Sequence, residues 1–325
     1  MSMIPAQPAT QASAFDRRAF LQRFGLMFSF LLLILALSLL SERFLTSANL
    51  INILRQATIN GIISVGMTLV ILTGGIDLSV GSVLALAVTI GASLMKQGQP
   101  VAVAVLAALA VGTVLGMING LMITRAKIPP FIATLGMLTV ARGLTLMYTQ
   151  GQPITGLPPA FRWIGTGVVA GIPVPIFLTL LVFAAGWIFM SRTKYGAQIY
   201  LMGDNLNAAK LAGVPTDRMT VLVYAISGFC AALAGLVLVA RLDSAQPIIG
   251  QGYEFNAIAA VVVGGTSFAG GEGGLAGTLL GTLLIETLNN GLNLLNVSPL
   301  WEQVVKGVVI ALALLLHKAF SPPTR

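Results

Sequence analysis

The chain alternates long apolar segments with short polar loops along almost its whole length. There are about ten segments, most of roughly 16–23 residues, and a helix needs about 20 mostly apolar residues to cross the hydrocarbon core of a bilayer. Only 9% of the residues are charged, against about 25% in an ordinary soluble domain. The sequence therefore predicts an all-α protein, a polytopic transmembrane helical bundle of about ten spans.

The predicted spans also divide the chain. They cover residues 24–40, 57–73, 80–95, 101–123, 131–149, 172–190, 219–240, 256–268, 275–292 and 300–317. The eighth is short and contains Gly264 and Gly265, so we expect a partial or re-entrant span, which is tolerated where protein or a water-filled cavity satisfies its backbone. We expect a disordered cytoplasmic N-terminus over 1–20, a transmembrane domain over 21–320 and a tail over 321–325.

The positive charges indicate the orientation. With a cytoplasmic N-terminus and alternating spans, eleven of the 18 Lys and Arg residues fall on the cytoplasmic side. Four fall on the opposite side (Arg43, Lys96, Arg162 and Arg241), and three lie within or beside spans (Arg55, Arg142 and Lys306). Cytoplasmic loops of membrane proteins carry an excess of Lys and Arg. Both termini are therefore predicted to be cytoplasmic, and the dispersed net charge of +8 does not indicate a nucleic-acid partner.

Small residues recur every four positions in the fourth span, at Ala104, Ala108, Gly112, Gly116 and Gly120. Such a stripe lets two helix backbones approach closely within a membrane. We expect it to be a helix-packing face.

The most informative polar loop covers residues 196–217. Asp204 or Asn205 can cap a helix, and Gly213 and Pro215 provide a stop. The pattern predicts a cytoplasmic helix of about two turns. So short a helix is marginal alone in water, so we expect it to dock, either into a groove of a partner protein or against its own bundle.

Four ionisable residues inside or beside predicted spans are candidates for a functional role: Asp77, Arg142, Glu286 and Lys306. Charges at membrane depth face the bundle interior or water. They either line a translocation pathway or form interhelical pairs that lock the bundle. Asp77 precedes the third span, where it can cap the helix; proton or ion coupling is the alternative.

Catalytic chemistry finds little support in the sequence. The chain has one His and one Cys, too few for a metal cluster or a disulfide. None of its six lysines follows a glycine, so there is no phosphate-binding loop of the G-x-x-x-x-G-K-[ST] type. We expect no catalytic residue, cofactor site or metal site, and any ATP hydrolysis would occur in another polypeptide.

Three stretches, residues 66–82, 203–215 and 259–277, resemble the membrane permease subunits of ribose-type ATP-binding-cassette (ABC) sugar importers, a group that includes ribose, xylose, arabinose and galactose permeases. The resemblance covers nearly the whole chain after residue 20. It implies a multi-pass permease of the bacterial cytoplasmic (inner) membrane that translocates a monosaccharide into the cytoplasm. It also implies three protein partners: a periplasmic sugar-binding protein, a second permease that completes a homodimeric or heterodimeric pair, with the homodimer favoured, and a separate ATPase subunit that binds ATP and Mg.

In such importers the segment resembling 203–215 is a coupling helix that sits in a cleft of the ATPase. The resemblance places Asn205, Ala208, Ala209, Gly213 and Val214 at that contact. The periplasmic loops, about 150–170 and 240–256, are expected to receive the binding protein. The alternative class is an ion-coupled secondary transporter or channel, for which Asp77 and Glu286 are the candidate intramembrane carboxylates. A membrane-embedded enzyme is a third reading, and it would require a cluster of polar catalytic groups.

Overall fold

The computed structural model describes residues 17–298 and, beyond them, residues 301, 304, 307 and 308. In chain order the helices are α1 (Arg17–Leu40), α2 (Ser47–Leu72), α3 (Val80–Lys96), α4 (Val101–Thr124), α5 (Pro130–Thr149), α6 (Pro159–Thr166), α7 (Val174–Arg192), α8 (Lys194–Asp204), α9 (Leu206–Leu211), α10 (Thr216–Leu242), α11 (Tyr253–Val263) and α12 (Leu275–Leu294). Four two-residue strands are β1 (Ile154–Thr155), β2 (Val168–Val169), β3 (Ile172–Pro173) and β4 (Ser244–Ala245).

The chain is an all-α helical membrane protein. Among the described residues, five helices are long and apolar enough to cross a membrane, namely α2, α4, α5, α7 and α10. The apolar helices α3 and α11 and the apolar part of α1 are shorter. The first nine predicted spans each coincide with a helix. Most of the tenth, 300–317, lies outside the described residues, as do residues 1–16 and the predicted tail 321–325.

Among the five long helices, α2 and α10 lie at the centre of the bundle, together with the shorter α3, which is mostly buried. In its most apolar stretch 83% of α2 is buried, and in α10 72%, whereas the corresponding values for α4, α5 and α7 are 17–28%. The outer helices direct Leu, Val and Phe side chains away from the protein. Because apolar side chains cost nothing in lipid, this inside-out arrangement is expected of a bundle surrounded by a bilayer.

The small-residue stripe of α4 is a helix-packing face, as the sequence predicts: Ala104 and Ala108 lie against Gly91 of α3, and the three glycines lie against α10. Gly116 is so close that an added Cβ would lie 2.1 Å from the Tyr224 carbonyl oxygen. A Cβ on Gly228 would lie 2.1 Å from the Gly112 carbonyl oxygen. The two backbones therefore touch, and glycine is required on both sides of the contact.

The chain re-enters the bundle between α10 and α11 without forming a helix. A Cβ on Gly81, in the first turn of α3, would lie 2.1 Å from the Gly250 carbonyl oxygen. The residues up to Gly252 thus reach deep into the bundle, and α11 starts there. With 11 residues, α11 is about 16 Å long, too short to cross a bilayer. The eighth segment is partial as expected, but the helix starts at Tyr253 rather than 256 and ends before Gly264, with irregular backbone on both sides.

The bundle has two ends that carry different structure. At one, called here the α6 end, β1 pairs with β4 and β2 pairs with β3 around α6. At the other, the α9 end, α8 and α9 meet the α2–α3 loop and residues 264–274. The Gly271 amide donates to the Leu72 carbonyl at 3.0 Å, joining those two loops.

Candidate functional site

The short helix predicted in 196–217 is present as α9. Asn205 is its N-cap: its side-chain oxygen accepts from the amides of Asn207 and Ala208, each at 3.0 Å. The helix ends where Gly213 adopts a positive φ of 78°, a conformation that glycine enters without penalty. Local sequence signals therefore determine both ends of α9.

The two faces of α9 differ. Ala209 is fully buried in an apolar cluster with residues of α8 and α10, and Val214 is half-buried beside it. Asn205, Ala208 and Gly213 are exposed. The resemblance placed Ala209 at a partner contact. It faces the protein's own bundle instead, because its methyl group packs among apolar residues of α2, α8 and α10. The sequence left open whether this helix docks on its own bundle or on a partner. One face of α9 docks on the bundle, and the other face remains exposed.

The open face of α9 is apolar at its C-terminal end. Leu211 is 91% exposed, the largest exposed fraction among the large apolar side chains of the described residues, and Leu206 is 47% exposed. A leucine in this position is stabilised when a partner covers it. The resemblance did not place Leu211 at the partner contact. The sequence signal for it was its position in the last turn of the predicted helix, two residues before Gly213.

Helix α8 connects α9 to the bundle. A Cβ on Gly203 would lie 1.9 Å from the Leu72 carbonyl oxygen and 2.2 Å from the Gly271 amide nitrogen. The Tyr200 hydroxyl donates to the Gly273 carbonyl at 2.9 Å. A displacement of α9 must therefore act on the end of α2 and on the segment that leads into α12.

Asp77 lies in a closed polar cluster between α3, α4 and α10. Its carboxylate accepts from the Ser79 amide at 2.9 Å and the Ser79 hydroxyl at 2.6 Å. The Ser227 hydroxyl donates to its other oxygen at 2.8 Å, and Asn119 donates to Ser79 at 2.8 Å. Asp77 is 1% exposed. Its hydrogen bonds to Ser79 and Ser227 join the start of α3 to α10.

Arg142, in the middle of α5, points into the protein. Its guanidinium donates to the carbonyls of Pro247 at 2.7 Å, Ile249 at 3.0 Å and Gly81 at 3.4 Å. These acceptors belong to the irregular stretch before α11 and to α3. The Pro247 and Ile249 carbonyls lie outside helices and sheets, and Arg142 provides their hydrogen-bond donor. Irregular backbone at membrane depth requires such a partner.

Glu286, in the middle of α12, accepts from the Asn60 side chain at 2.6 Å and from Asn289 at 3.4 Å. It lies apart from the Asp77 cluster and from Arg142. Lys306 lies outside the described residues. The four predicted ionisable residues are therefore not one constellation.

Glu286 borders a cavity of about 470 Å³ between α2, α10, α11 and α12. The rest of its lining is also polar. Five amide side chains contribute to it: Asn52, Gln56, Asn256, Asn289 and Asn293. Arg55, Arg241 and Tyr253 are the other lining residues in the part of the chain that the structure describes. The cavity occupies the half of the bundle nearer the α6 end.

The sequence contains a signal for this cavity that the analysis of single charges misses. Polar residues recur every three or four positions along one side of α2 and of α12. The first series is Asn49, Asn52, Gln56, Asn60, Ser64 and Thr68, and the second is Thr278, Thr282, Glu286, Asn289 and Asn293. Hydrogen bonds connect the two series, for example between the Thr68 and Thr278 hydroxyls at 2.8 Å. A polar stripe at helical spacing in an apolar helix indicates a face that avoids lipid.

Known proteins resemble the chain over nearly its whole length. Residues 49–314 match the family described as branched-chain amino acid transport system / permease component. The ribose import permease protein of Bacillus subtilis (strain 168) is 49% identical over 93% of this chain and 94% of that protein. The ribose import permease protein of Escherichia coli (strain K12) is 46% identical over 92% and 94%.

The D-allose transport system permease protein of Escherichia coli (strain K12) is 38% identical over 96% of this chain and 97% of that protein. No solved structure matches the chain. The chain therefore belongs to the branched-chain amino acid transport system / permease component family, and its resemblance to the membrane permease subunits of ribose-type ABC sugar importers is confirmed.

Proposed function

We propose that the chain is the permease subunit of an ABC importer that translocates a monosaccharide, with ribose as the first candidate, into the cytoplasm. A periplasmic binding protein delivers the sugar, and a separate ATPase subunit binds ATP and Mg and drives transport. The permease itself would hold no cofactor. The observation that carries the proposal is α9, a capped helix with one face docked on the bundle and an open face that ends at the exposed Leu211.

The proposed topology has ten spans, with both termini in the cytoplasm of a bacterial inner-membrane protein and a transmembrane domain over 21–320. Charge supports it. The α9 end carries Arg125, Lys127, Arg192, Lys194, Lys210 and Arg218, and the α6 end carries Arg43, Lys96, Arg162 and Arg241. The positive-inside rule favours the α9 end on the cytoplasmic side. A second copy of the chain would complete the transporter as a homodimer.

Coupling would run through α9. Asn205, Ala208, Gly213 and Val214, together with Leu211, would contact the ATPase, while Ala209 seats the helix. Movement of α9 would pass through Gly203 and Tyr200 to α2 and α12, because those residues touch the Leu72, Gly271 and Gly273 backbone. This connection would convert a displacement of α9 by the ATPase into a movement of α2 and α12, which line the cavity.

The binding protein would dock at the α6 end, on residues 150–170 and 240–256. These two loops form one surface, because β1 pairs with β4 and the Leu157 amide donates to Asp243 at 2.8 Å. Arg162 lies 3.7 Å from the same carboxylate. Residues 240–256 continue into α11, so docking would act on the start of that helix.

Uptake into proteoliposomes tests the proposal. The permease, its ATPase and its binding protein are reconstituted, and uptake of labelled ribose, allose and leucine is compared with internal ATP, without ATP, and with a proton or sodium gradient alone. We expect ATP-dependent uptake of a sugar and none with a gradient alone. Gradient-driven uptake without the ATPase would show an ion-coupled transporter instead.

A further inference from the structure

The polar cavity has features of a ligand site rather than of a packing defect. Its volume of about 470 Å³ lies within the range of about 300–1,000 Å³ that small-molecule sites occupy. Asn52 and Asn293, toward the α6 end, are exposed, whereas Glu286 and Asn289, deeper in α12, are buried. The cavity is thus open at one end and closed at its base.

Polar groups in the cavity lack partners. The side-chain oxygen of Asn289, a residue 5% exposed, has no hydrogen-bond partner among the described residues. Asn52, Gln56 and Asn256 also lie on the cavity wall. Their side chains make no hydrogen bond with any described residue. Buried polar atoms are nearly always hydrogen-bonded, and Asn289 is the buried residue of this group, whereas Asn52, Gln56 and Asn256 are exposed or half-buried. The buried Asn289 oxygen and the three other amides face one space, which therefore suits a polar occupant.

The composition of the wall selects the chemistry of that occupant. An amide side chain offers both donors and an acceptor, as a sugar hydroxyl does, and five amides line the cavity. An anion would need donors alone, but Glu286 shares the wall with Arg55 and Arg241. An apolar side chain such as that of leucine would leave the amides without partners, which is unfavourable.

The base of the cavity is formed by the start of α11. Tyr253 and Asn256, in its first turn, line the cavity. The Glu254 carboxylate accepts from the Gly252 amide at 3.3 Å, so a side chain of α11 itself occupies the N-terminus of this helix. The start of α11 therefore contributes the Tyr253 and Asn256 side chains to the cavity, beside the amides of α2 and α12.

We propose that this cavity is a monosaccharide-binding site belonging to the permease itself, in which the amides of α2, α11 and α12 hold the sugar hydroxyls before translocation. The inference rests on the proposed function for the identity of the ligand. It adds that the permease contributes to the selection of the sugar, in addition to the binding protein.

Saturation-transfer NMR tests the site directly. D-ribose is titrated onto the permease–ATPase complex in lipid nanodiscs without the binding protein, with D-allose, D-galactose, a sugar acid and leucine as separate probes. We expect saturable signal from a neutral sugar. Gln56→Ala combined with Asn256→Ala should weaken affinity by about 5- to 150-fold, because two hydrogen bonds to the sugar are lost. Gln99→Ala, which removes an exposed amide of the α3–α4 loop, is the matched control and should bind as wild type.

The variants should fold, because Gln56 and Asn256 make no side-chain hydrogen bonds within the described residues. Asn52→Ala is a second, milder variant. ATP-driven sugar uptake by wild type, combined with unaltered binding and uptake in the cavity variants, would overturn the inference and leave the proposed function intact. Preferred binding of the sugar acid or of leucine would also overturn it. Absence of ATP-driven uptake by wild type would instead contradict the proposed function.

Discussion

Gly116→Ala should destabilise the bundle although alanine favours helix. The added Cβ would lie 2.1 Å from the Tyr224 carbonyl oxygen and 3.1 Å from the Ala225 Cα. A carbon–oxygen contact needs about 3.3 Å, so α4 and α10 must separate locally by about 1.2 Å. The neighbouring contact between Gly112 and Gly228 is equally close and would open with it. Overpacking of this kind costs about 1–3 kcal/mol.

Gly136→Ala provides the matched control, because nothing lies within 4 Å of its added Cβ. It replaces a glycine inside α5 in the same way, and the helix should gain up to about 1 kcal/mol. The assay is the apparent thermal midpoint of the purified protein in detergent, followed by loss of the monodisperse peak in size-exclusion chromatography. We expect Gly116→Ala to lower the midpoint and Gly136→Ala to keep or raise it. Equal midpoints would refute the assignment of the stripe to direct backbone contact.

Three further experiments test individual contacts. Ser227→Ala should destabilise by about 1–3 kcal/mol, since it removes a hydroxyl donor from the buried carboxylate of Asp77; an unchanged thermal midpoint would contradict this. A double-mutant cycle of Thr68→Val and Thr278→Val should give a coupling of about 0.6 kcal/mol, and additive effects would show that the two hydroxyls do not interact. Asn205→Ala should remove about 0.5–2 kcal/mol from α9, seen as faster hydrogen exchange over 206–211 with an unchanged thermal midpoint; unaltered exchange would argue against the cap.

The sequence predicts the features whose signals are local. Apolar length locates the membrane-embedded helices but not α6 or α8, and the stripe from Ala104 to Gly120 identifies the face of α4 that packs on α3 and α10. Asn205 and Gly213 delimit α9 because a cap and a positive-φ stop act within one turn. The helix was therefore predictable, but which face docks on the bundle was not, because burial of Ala209 depends on residues of α8 and α10.

The features that depend on distant parts of the chain were harder to predict. The irregular stretch before α11 is satisfied by Arg142, about a hundred residues earlier, so hydropathy alone could not place the start of that helix. The cavity combines side chains from α2, α10, α11 and α12. Taken one at a time, these side chains give no sign that they line a common space. Only the regular spacing of polar residues along α2 and α12 indicates that each of these helices has a polar face.

The most direct test of the proposed mechanism measures uptake when the open face of α9 is altered. Leu211→Glu and Ala208→Glu change exposed residues and should leave folding unaffected, because substitutions at exposed positions usually change stability by less than about 0.5 kcal/mol. A carboxylate enclosed in an apolar partner cleft is strongly unfavourable. Leu211→Met keeps the volume and apolar character and is the control.

In proteoliposomes with the ATPase and the binding protein, we expect each glutamate variant to lose ATP-driven sugar uptake while Leu211→Met retains it, all with the wild-type thermal midpoint. Uptake by Leu211→Glu and Ala208→Glu at the rate of Leu211→Met would contradict the assignment of α9 as the coupling helix.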